Sequence, residues 1–187
     1  MAENNTKTLL INSFKELIIS QPFEKITIKK ITDGAGVIRP TFYNHFKDKY
    51  EVFEVILEEE LLEPIRNLIS IEMFREAVKM IFTYFEKNQE FYENAFKVTG
   101  QNSFEGILTK KIEELDRYIL LQENVYLKEE VAKLSVDQII EIHTMNVVNI
   151  IKIWLQDAEK DYSAEKVFDT YVFLMTHNVE DVIEKRN

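Results

Sequence analysis

The sequence contains no cysteine and very little glycine or proline. Without cysteine the chain has neither disulfide bonds nor thiolate metal sites, a composition that suits a reducing compartment. Only four glycines and three prolines interrupt 187 residues, so there are few positions at which a helix must end. The scarcity of these residues favours long helices.

Long apolar runs are also missing. No stretch approaches the ~20 apolar residues that a membrane-spanning helix requires. The N-terminus, MAENNTKT, lacks the basic and apolar segments of a signal peptide. We therefore expect a cytoplasmic protein with no membrane partner.

The patterns of common enzymes are absent as well. There is no glycine-rich phosphate loop, no nucleophile elbow and no cluster of histidine and acidic residues at metal-ligand spacing. The three histidines, His45, His143 and His177, lie far apart along the chain. Acidic pairs such as Glu58 and Glu60 are typical of a solvated helix face. We expect neither an enzyme nor a bound metal or cofactor.

The chain does contain a large apolar fraction and an uneven charge distribution. Hydrophobic residues make up 45% of it and aromatic residues 12%, which is typical of a globular protein with a bulky core. Residues 1–50 carry eight basic and five acidic side chains, a net charge of +3. The remaining 137 residues carry 15 basic and 28 acidic side chains, a net charge of −13. This asymmetry predicts two regions, divided near Asp48.

The spacing of the apolar residues predicts an all-helical protein of about nine helices. No segment alternates with the period of two that is typical of a half-buried strand. The first helix should cover residues 6–20, and Thr27 should cap a second that ends at Gly34 and Gly36. Asp48 should cap the fourth helix, and Pro64 should bend or interrupt it. The other predicted helices cover residues 39–46, 49–69, 71–87, 89–98, 104–123, 135–157 and 163–185.

The segment GAGVIRPTFYNHFKDKYEVF, residues 34–53, predicts a helix-turn-helix motif. Gly36 allows the positive φ angle that a sharp turn needs. Pro40 suits the first turn of a helix, where no N–H group is required. Phe42 and Phe46 lie four residues apart and should face the core. The opposite face carries Thr41, Tyr43, Asn44 and His45. Such a polar face is typical of a helix that enters the DNA major groove.

The same region resembles the signature of TetR-family transcriptional regulators. The run FEKITIKKITDGAGVIRPTFYNHFKDKYEVF is similar to it in the second helix, in the turn at Ala35-Gly36-Val37 and in the recognition helix. The resemblance covers roughly residues 8–56, and the rest of the chain agrees in length and helical character. It implies a three-helix DNA-binding domain, residues 1–50, followed by a larger helical-bundle domain, residues 51–187.

The resemblance also implies roles for individual residues. Residues that match the positions nearest the bases are Arg39, Pro40, Thr41 and Asn44. Residues that match phosphate-contacting positions are Thr27, Tyr43, His45 and Lys49. Arginine can pair with guanine and asparagine with adenine, while phosphate contacts fix the register. Two structural alternatives stay open, because Thr27 could be only a helix cap and Tyr43 could be partly buried. Ile38 stands where the family usually has serine or a similar cap.

By the same resemblance, the acidic region would bind a small effector and form a dimer. The candidate effector contacts are Phe82, Phe85, Tyr92, Phe96, His143, Asn146 and Trp154. Most of these aromatic residues should lie in the core, and a lone histidine on an apolar face is more often a core residue than a ligand contact. The family uses its last two helices as a four-helix dimer interface. The apolar residues expected there are Tyr171, Val172, Met175, Val179 and Val182.

Together these features predict a homodimeric repressor that binds a pseudo-palindromic operator and is released by an unknown small-molecule effector. Two alternatives stay open. One is a TetR-like regulator that responds to a protein partner and acts as an activator. The other is a helical interaction protein that no longer binds DNA.

Overall fold

The computed structural model describes residues 2–122, 133–157 and 162–182, and every regular element in these ranges is helical. The prediction of an all-helical protein is therefore confirmed. The helices are α1 Ala2–Ser20, α2 Ile28–Gly34, α3 Arg39–Tyr43, α4 Lys49–Leu57, α5 Glu63–Ile69, α6 Phe74–Lys87, α7 Gln89–Ala95, α8 Phe104–Gln122, α9 Val136–Gln156, α10 Ala164–Thr176 and α11 Val179–Val182. A 3-10 turn, Phe23–Lys25, precedes α2, and a π-helical turn, Glu58–Leu62, joins α4 to α5. In the described ranges no helix is long and apolar enough to cross a membrane.

Helices α1, α2 and α3 pack around a small apolar core. Phe14 of α1, Ile31 of α2 and Phe42 of α3 are fully buried. The rings of Phe42 and Phe46 pack together with centroids 5.3 Å apart. The inward face predicted for the recognition helix is therefore confirmed.

Two glycines shape the turn between α2 and α3, for different reasons. Gly36 has a φ angle of +68°, and backbone hydrogen bonds that return to α2 close the helix end around it. Gly34 instead permits close approach of two helices, because a Cβ atom there would collide with the Oγ of Ser13 on α1. Ser13 is buried and donates a hydrogen bond to the carbonyl of Ile31 (2.9 Å). This hydrogen bond and the close approach at Gly34 fix the packing of α1 against α2.

A continuous helical run, Lys49 to Ile69, connects this N-terminal unit to the rest of the chain. Asp48 caps it, as predicted, because its side chain accepts hydrogen bonds from two N–H groups of the first turn. Pro64 lies at the start of α5 and offers no N–H to the helical ladder. The turn just before it, Glu58–Leu62, is widened into a π-helix. The run thus stays helical, but its α-helical hydrogen-bonding pattern is interrupted just before Pro64.

Helices α6 to α10 form a larger bundle, in which α8 packs on α9 and α6 packs on α10. Its core is rich in aromatic residues, and Phe82, Phe85, Tyr92 and Phe104 are fully buried. A capping box at Ser135 starts α9.

The prediction of a single helix over residues 163–185 is wrong, because the helical run breaks between α10 and α11. Helix α10 ends at Thr176, and His177 has an extended backbone. The side chain of Asn178 then accepts hydrogen bonds from the first N–H groups of α11. The asparagine side chain thus satisfies N–H groups that would otherwise bond to the carbonyls of α10, and this favours a new helix over extension of α10. The apolar periodicity does not reveal this break.

Other helix ends also differ from the predictions, and α7 ends at Ala95 rather than at residue 98. Helix α1 begins already at Ala2. Helix α3 ends at Tyr43 rather than at Phe46, because the next residues form a tighter turn. Helix α6 begins at Phe74 rather than at residue 71, since the chain turns at Glu72 with a φ angle of +62°.

Replacing Gly34 with alanine should lower the free energy of unfolding by about 1–3 kcal/mol, because the new methyl group would overpack the contact with Ser13. The same change should be less destabilising in a Ser13→Ala background, where the colliding oxygen is gone. Urea denaturation of the four proteins measures this coupling. An equal loss in both backgrounds would contradict the proposed collision.

Candidate nucleic-acid interface and regulatory cavity

The beginning of α3 presents an exposed polar face. The exposed members of the predicted DNA-binding set on this helix and the turn after it are Arg39, Pro40, Tyr43 and Asn44, and the half-buried ones are Thr41 and His45. Phe42 and Phe46 anchor the opposite face in the core. The local sequence therefore brings six predicted contacts together on one surface.

Arg39 is held by Tyr43 one helical turn later. Its Nη2 atom donates a hydrogen bond to the Tyr43 Oη (3.0 Å), and the guanidinium carbon lies 5.6 Å from the ring centroid. Both side chains are exposed, so the contact is weak enough to exchange for another partner. The arrangement keeps a planar set of donors near the helix start, where it could meet the edge of a guanine.

Thr27 and Ile38 precede the two helices of the motif and differ in what they offer. The Oγ1 of Thr27 accepts a hydrogen bond from the backbone N–H of Lys30 (3.2 Å), so Thr27 does cap α2. Ile38 gives α3 no side-chain cap, and 70% of it is exposed. The start of α3 thus has no side-chain cap, and Thr27 is exposed at the start of α2.

Lys49 connects the start of α4 to the turn before α2. Its ammonium donates to the carbonyls of Phe23 (2.8 Å) and Ile26 (3.0 Å) and lies 3.9 Å from the Phe23 ring centroid. Burial lowers the pKa of Lys49, although Glu24 opposes the shift. This tie, which fixes the residues just before Thr27, was missed by the sequence reasoning because it joins distant segments.

The π-helical turn carries three consecutive glutamates, Glu58 to Glu60, and two of them bind α1. Glu59 pairs with Lys7, and Glu60 pairs with Lys15, both on α1. The two carboxylate oxygens of Glu60 lie 2.7 and 2.6 Å from the Lys15 ammonium. The turn is therefore attached to the N-terminal unit by two ion pairs.

The same turn is also attached to the bundle through two phenols. Tyr84 of α6 donates a hydrogen bond to Glu60 (3.0 Å), and the hydroxyl of Tyr92 on α7 lies 2.7 Å from that of Tyr84. Burial raises the pKa of both phenols. Both hydroxyls therefore keep their protons, and the hydrogen bonds run from Tyr92 through Tyr84 to the carboxylate.

Glu58 forms the third attachment, to Arg66 of α5 and to Lys111 of α8 (3.1 Å). Burial would raise the pKa of Glu58, but hydrogen bonds from these two cations hold it below its ordinary value. Burial lowers the pKa of Lys111 in turn, yet hydrogen bonds with Glu114 and Glu58 raise it overall. The interpretation of Glu58 and Glu60 as a merely solvated face was wrong, because both bind other helices.

A largely apolar cavity of about 350 Å³ lies within the bundle. Helices α5, α6, α8 and α9 supply most of its wall, and Tyr171 of α10 completes it. Isoleucine side chains dominate the lining, among them Ile65, Ile81 and Ile112. Such a volume and lining are typical of a small-molecule site.

A hydrogen-bonded cluster forms the polar end of this cavity. The Nδ1 of His143 lies 2.9 Å from the Oδ2 of Asp116, and its Nε2 lies 2.6 Å from the Oη of Tyr171. Thr144 donates a hydrogen bond to the same carboxylate oxygen (3.0 Å). Burial and the nearby Asp116 raise the pKa of Tyr171 to about 12, so its hydroxyl stays protonated.

The predicted effector contacts do not lie together. His143 lines the cavity. Phe82, Phe85, Tyr92 and Phe96 are buried in the bundle core and are not among the residues of its wall. Asn146 is exposed on another face of α9, and Trp154 is buried beside a second pocket with Tyr162.

Two residues of the cavity wall, Asp116 and Tyr171, were not predicted to lie there. Asp116 did leave a signal, because Ile112, Leu115 and Ile119 form one helical stripe and an acid interrupts it. Tyr171 left none, since the same apolar stripe was interpreted as a dimer surface.

The predicted dimer residues divide between two faces of the last helices. Tyr171 is buried toward the cavity, and Val172 is half-buried. Met175 and Val182 are exposed, and the side chain of Val179 lies outside the described residues. Further large apolar side chains are exposed on α9 and α10, and none of them was predicted: Ile142, Met145, Ile153, Phe173 and Leu174.

Two family models match the chain. The model described as "Bacterial regulatory proteins, tetR family" matches residues 10–56, and the model described as "Transcriptional regulator C-terminal region" matches residues 72–177, more than half of the chain. Together with the helix-turn-helix, these matches define a DNA-binding transcription factor rather than an enzyme. The chain belongs to the TetR family of transcriptional regulators.

Individual relatives agree with this assignment. The "HTH-type dhaKLM operon transcriptional activator DhaS" of Lactococcus lactis subsp. lactis (strain IL1403) is 28% identical over 119 residues, which cover 63% of this chain and 63% of that protein. The match thus spans less than two thirds of the relative's length. The solved structure of "Dihydroxyacetone kinase operon activator DhaS" has a TM-score of 0.66 at 23% identity, over 89% of this chain and 92% of that one.

A solved TetR transcriptional regulator from Streptococcus agalactiae 2603V is similar to the same extent. Its TM-score is 0.64 at 23% identity, over 91% of this chain and 93% of that one. The fold is therefore shared along nearly the whole chain.

Replacing Glu58 with glutamine should destabilise the protein near neutral pH but not in acid. Because the folded-state pKa of Glu58 is lowered, its charge contributes stability above its ordinary pKa, and that contribution is lost as pH falls through the folded pKa. We expect a loss of about 1 kcal/mol or less at about pH 7, since water screens these half-exposed ion pairs. The loss should shrink toward zero near about pH 3.

Urea denaturation at both pH values measures this difference. Glu63→Gln is the matched control, because Glu63 is exposed in the same helical run. It should change stability little at either pH. A loss in Glu58→Gln that stays constant with pH would contradict the ionic origin of the effect.

Proposed function

We propose that the chain is a cytoplasmic, homodimeric repressor that binds a pseudo-palindromic operator through α3 and is released by a small molecule in the apolar cavity. The observation that carries the proposal is the exposed polar face at the start of α3, anchored from behind by buried phenylalanines. A helix-turn-helix that no longer bound DNA would have no need of such a face.

Charge determines which part of the chain can approach the duplex. Residues 1–50 have a net charge of +3, and the remainder has a net charge of −13 that phosphates repel. We assign base contacts to Arg39, Pro40, Thr41 and Asn44, and phosphate contacts to Thr27, Tyr43, His45 and Lys49. The tie between Lys49 and the turn before α2 supports an additional role in placing Thr27.

We assign the dimer interface to the exposed apolar face of α9 and α10. On α9 the exposed apolar residues Ile142, Met145 and Ile153 recur at helical spacing. Val172 and Met175 on α10 would extend this face, and Val179 and Val182 on α11 would continue it. Tyr171 is assigned to the cavity instead, because its hydroxyl binds His143 there. Large apolar side chains exposed together on one face are typical of a protein interface.

A second candidate function is activation. The DhaS relative is an operon activator, which supports the proposal that this chain raises transcription from its operator under the control of a protein partner. A reporter gene placed behind the operator distinguishes the two, because expression of the chain should lower the signal of a repressor's target and raise that of an activator's.

The DNA contacts can be tested with an operator selected from random duplexes, whose half-sites should lie about 34–36 Å or a multiple apart. Arg39→Ala should weaken binding to the best site by about 1–3 kcal/mol and relax its base preference. Tyr43→Phe keeps the ring and should weaken binding to all duplexes alike, by about 1 kcal/mol. Fluorescence anisotropy with matched and mismatched duplexes measures both. The reverse pattern would contradict the assignment of roles.

The dimer face can be tested with Ile153→Glu. Ile153 is 68% exposed in the single chain, so glutamate should be tolerated in the monomer but should bury an unpaired charge in the dimer, at a cost of several kcal/mol. Sedimentation should show monomers, and operator affinity should collapse. Ile71→Glu is the matched control, because Ile71 is 63% exposed between α5 and α6. An Ile153→Glu protein that stays dimeric would place the interface elsewhere.

A further inference from the structure

We infer that the cavity takes a lipophilic molecule whose polar end donates a hydrogen bond and carries no negative charge, such as a primary alcohol. This inference rests on the proposed ligand-binding role of the cavity and names the chemical class of the ligand.

The body of the ligand follows from the size and lining of the cavity. Its volume is about 350 Å³, which holds about a dozen non-hydrogen atoms at roughly 30 Å³ each. Apart from the polar cluster, the wall is made of aliphatic side chains and one phenylalanine, Phe74. An apolar chain of that length would replace water against these side chains.

The polar end follows from the direction of its hydrogen bonds. A carboxylate only accepts hydrogen bonds, so His143 Nδ1 and Thr144 Oγ1 both donate to Oδ2 of Asp116. A neutral imidazole that donates from Nδ1 accepts at Nε2. We assign this tautomer to His143, so that its Nε2 accepts the hydroxyl proton of Tyr171 across 2.6 Å. The protons of all three donors are then directed along the cluster rather than into the cavity.

What remains for a ligand is a set of acceptors. The Tyr171 oxygen keeps its lone pairs, and within the described part of the chain both side-chain hydrogen bonds to Asp116 end on Oδ2, which leaves Oδ1 as an acceptor. A ligand hydroxyl would satisfy them. An ether or ketone oxygen can only accept hydrogen bonds, so it would face the Tyr171 oxygen and Asp116 Oδ1 without forming one. A carboxylate would add repulsion by Asp116, and the described residues of the wall include no lysine or arginine to offset it.

Three probes of equal length separate these cases: 1-decanol, 1-methoxynonane and decanoate. Calorimetric titration of the DNA-free protein should show that decanol binds at least tenfold more tightly than either of the others. Equal or tighter binding of decanoate or of the ether would overturn the inference. Absence of binding by all three would overturn it as well.

The variant Asp116→Asn tests the source of the selectivity. An amide has no charge and offers a donor, so decanoate should gain affinity relative to decanol by at least tenfold. The matched control is Asp137→Asn, since Asp137 is an exposed carboxylate on α9 outside the cavity wall, and it should leave the ratio unchanged. An unchanged ratio in Asp116→Asn would overturn the role of the carboxylate. Should that variant fail to fold, the probe series on the unaltered chain still decides.

Operator affinity with and without decanol separates this inference from the proposed function. Selective binding of decanol that leaves operator affinity unchanged would support the ligand class and contradict the proposed release from DNA. Release of the operator by decanoate but not by decanol would overturn the ligand class and support the release.

Discussion

The ion pairs of the π-helical turn Glu58–Leu62 hold the two halves of the molecule in one arrangement. Three adjacent carboxylates bind lysines of α1, a phenol of α6 and a lysine of α8. Their charges are half-exposed, so each pair is weak alone, but they meet on one turn and constrain the same few residues. A widened turn can direct successive side chains to different helices, and Pro64 supplies the break in the ladder that such a turn accommodates. Together with the packing of Phe14 of α1 against Phe91 of α7, this turn therefore determines the position of the recognition helix relative to the bundle.

The DNA-binding unit could be predicted in detail because its signals are local. Gly36, Pro40 and the pair Phe42–Phe46 each report a backbone angle or a burial that neighbouring residues determine. The sequence equally predicted the interruption at Pro64 and the caps at Thr27 and Asp48. What it could not reveal are contacts between distant segments. The tie of Lys49 to the Phe23 carbonyl joins residues 26 positions apart, and no spacing rule relates them.

The C-terminal bundle shows what helical periodicity cannot predict. Helical periodicity identifies which residues are apolar but not which neighbour they meet, so core, cavity and dimer surface look alike in sequence. Tyr171 was therefore assigned to a surface, although its hydroxyl binds His143 inside the bundle. The aromatic residues chosen as ligand contacts fill the core instead of the cavity wall. His143, which was predicted as an effector contact, lies in the cavity wall. Asp116 leaves the same kind of signal, because a carboxylate on an apolar stripe must find a partner.

The cavity lies between the two elements whose positions would set DNA affinity. On one side Ile65 and Ile69 belong to α5, which continues directly from the π-helical turn that holds α1. On the other, His143 and Val147 belong to α9, whose opposite face carries the exposed residues Ile142 and Met145. In the proposed dimer, a ligand would change the spacing of the two recognition helices only if it bound the two spacings unequally. A molecule that fills this cavity would contact both α5 and α9, since both helices contribute to its wall. Displacement of α5 would act on the π-helical turn, and displacement of α9 would act on the proposed dimer face.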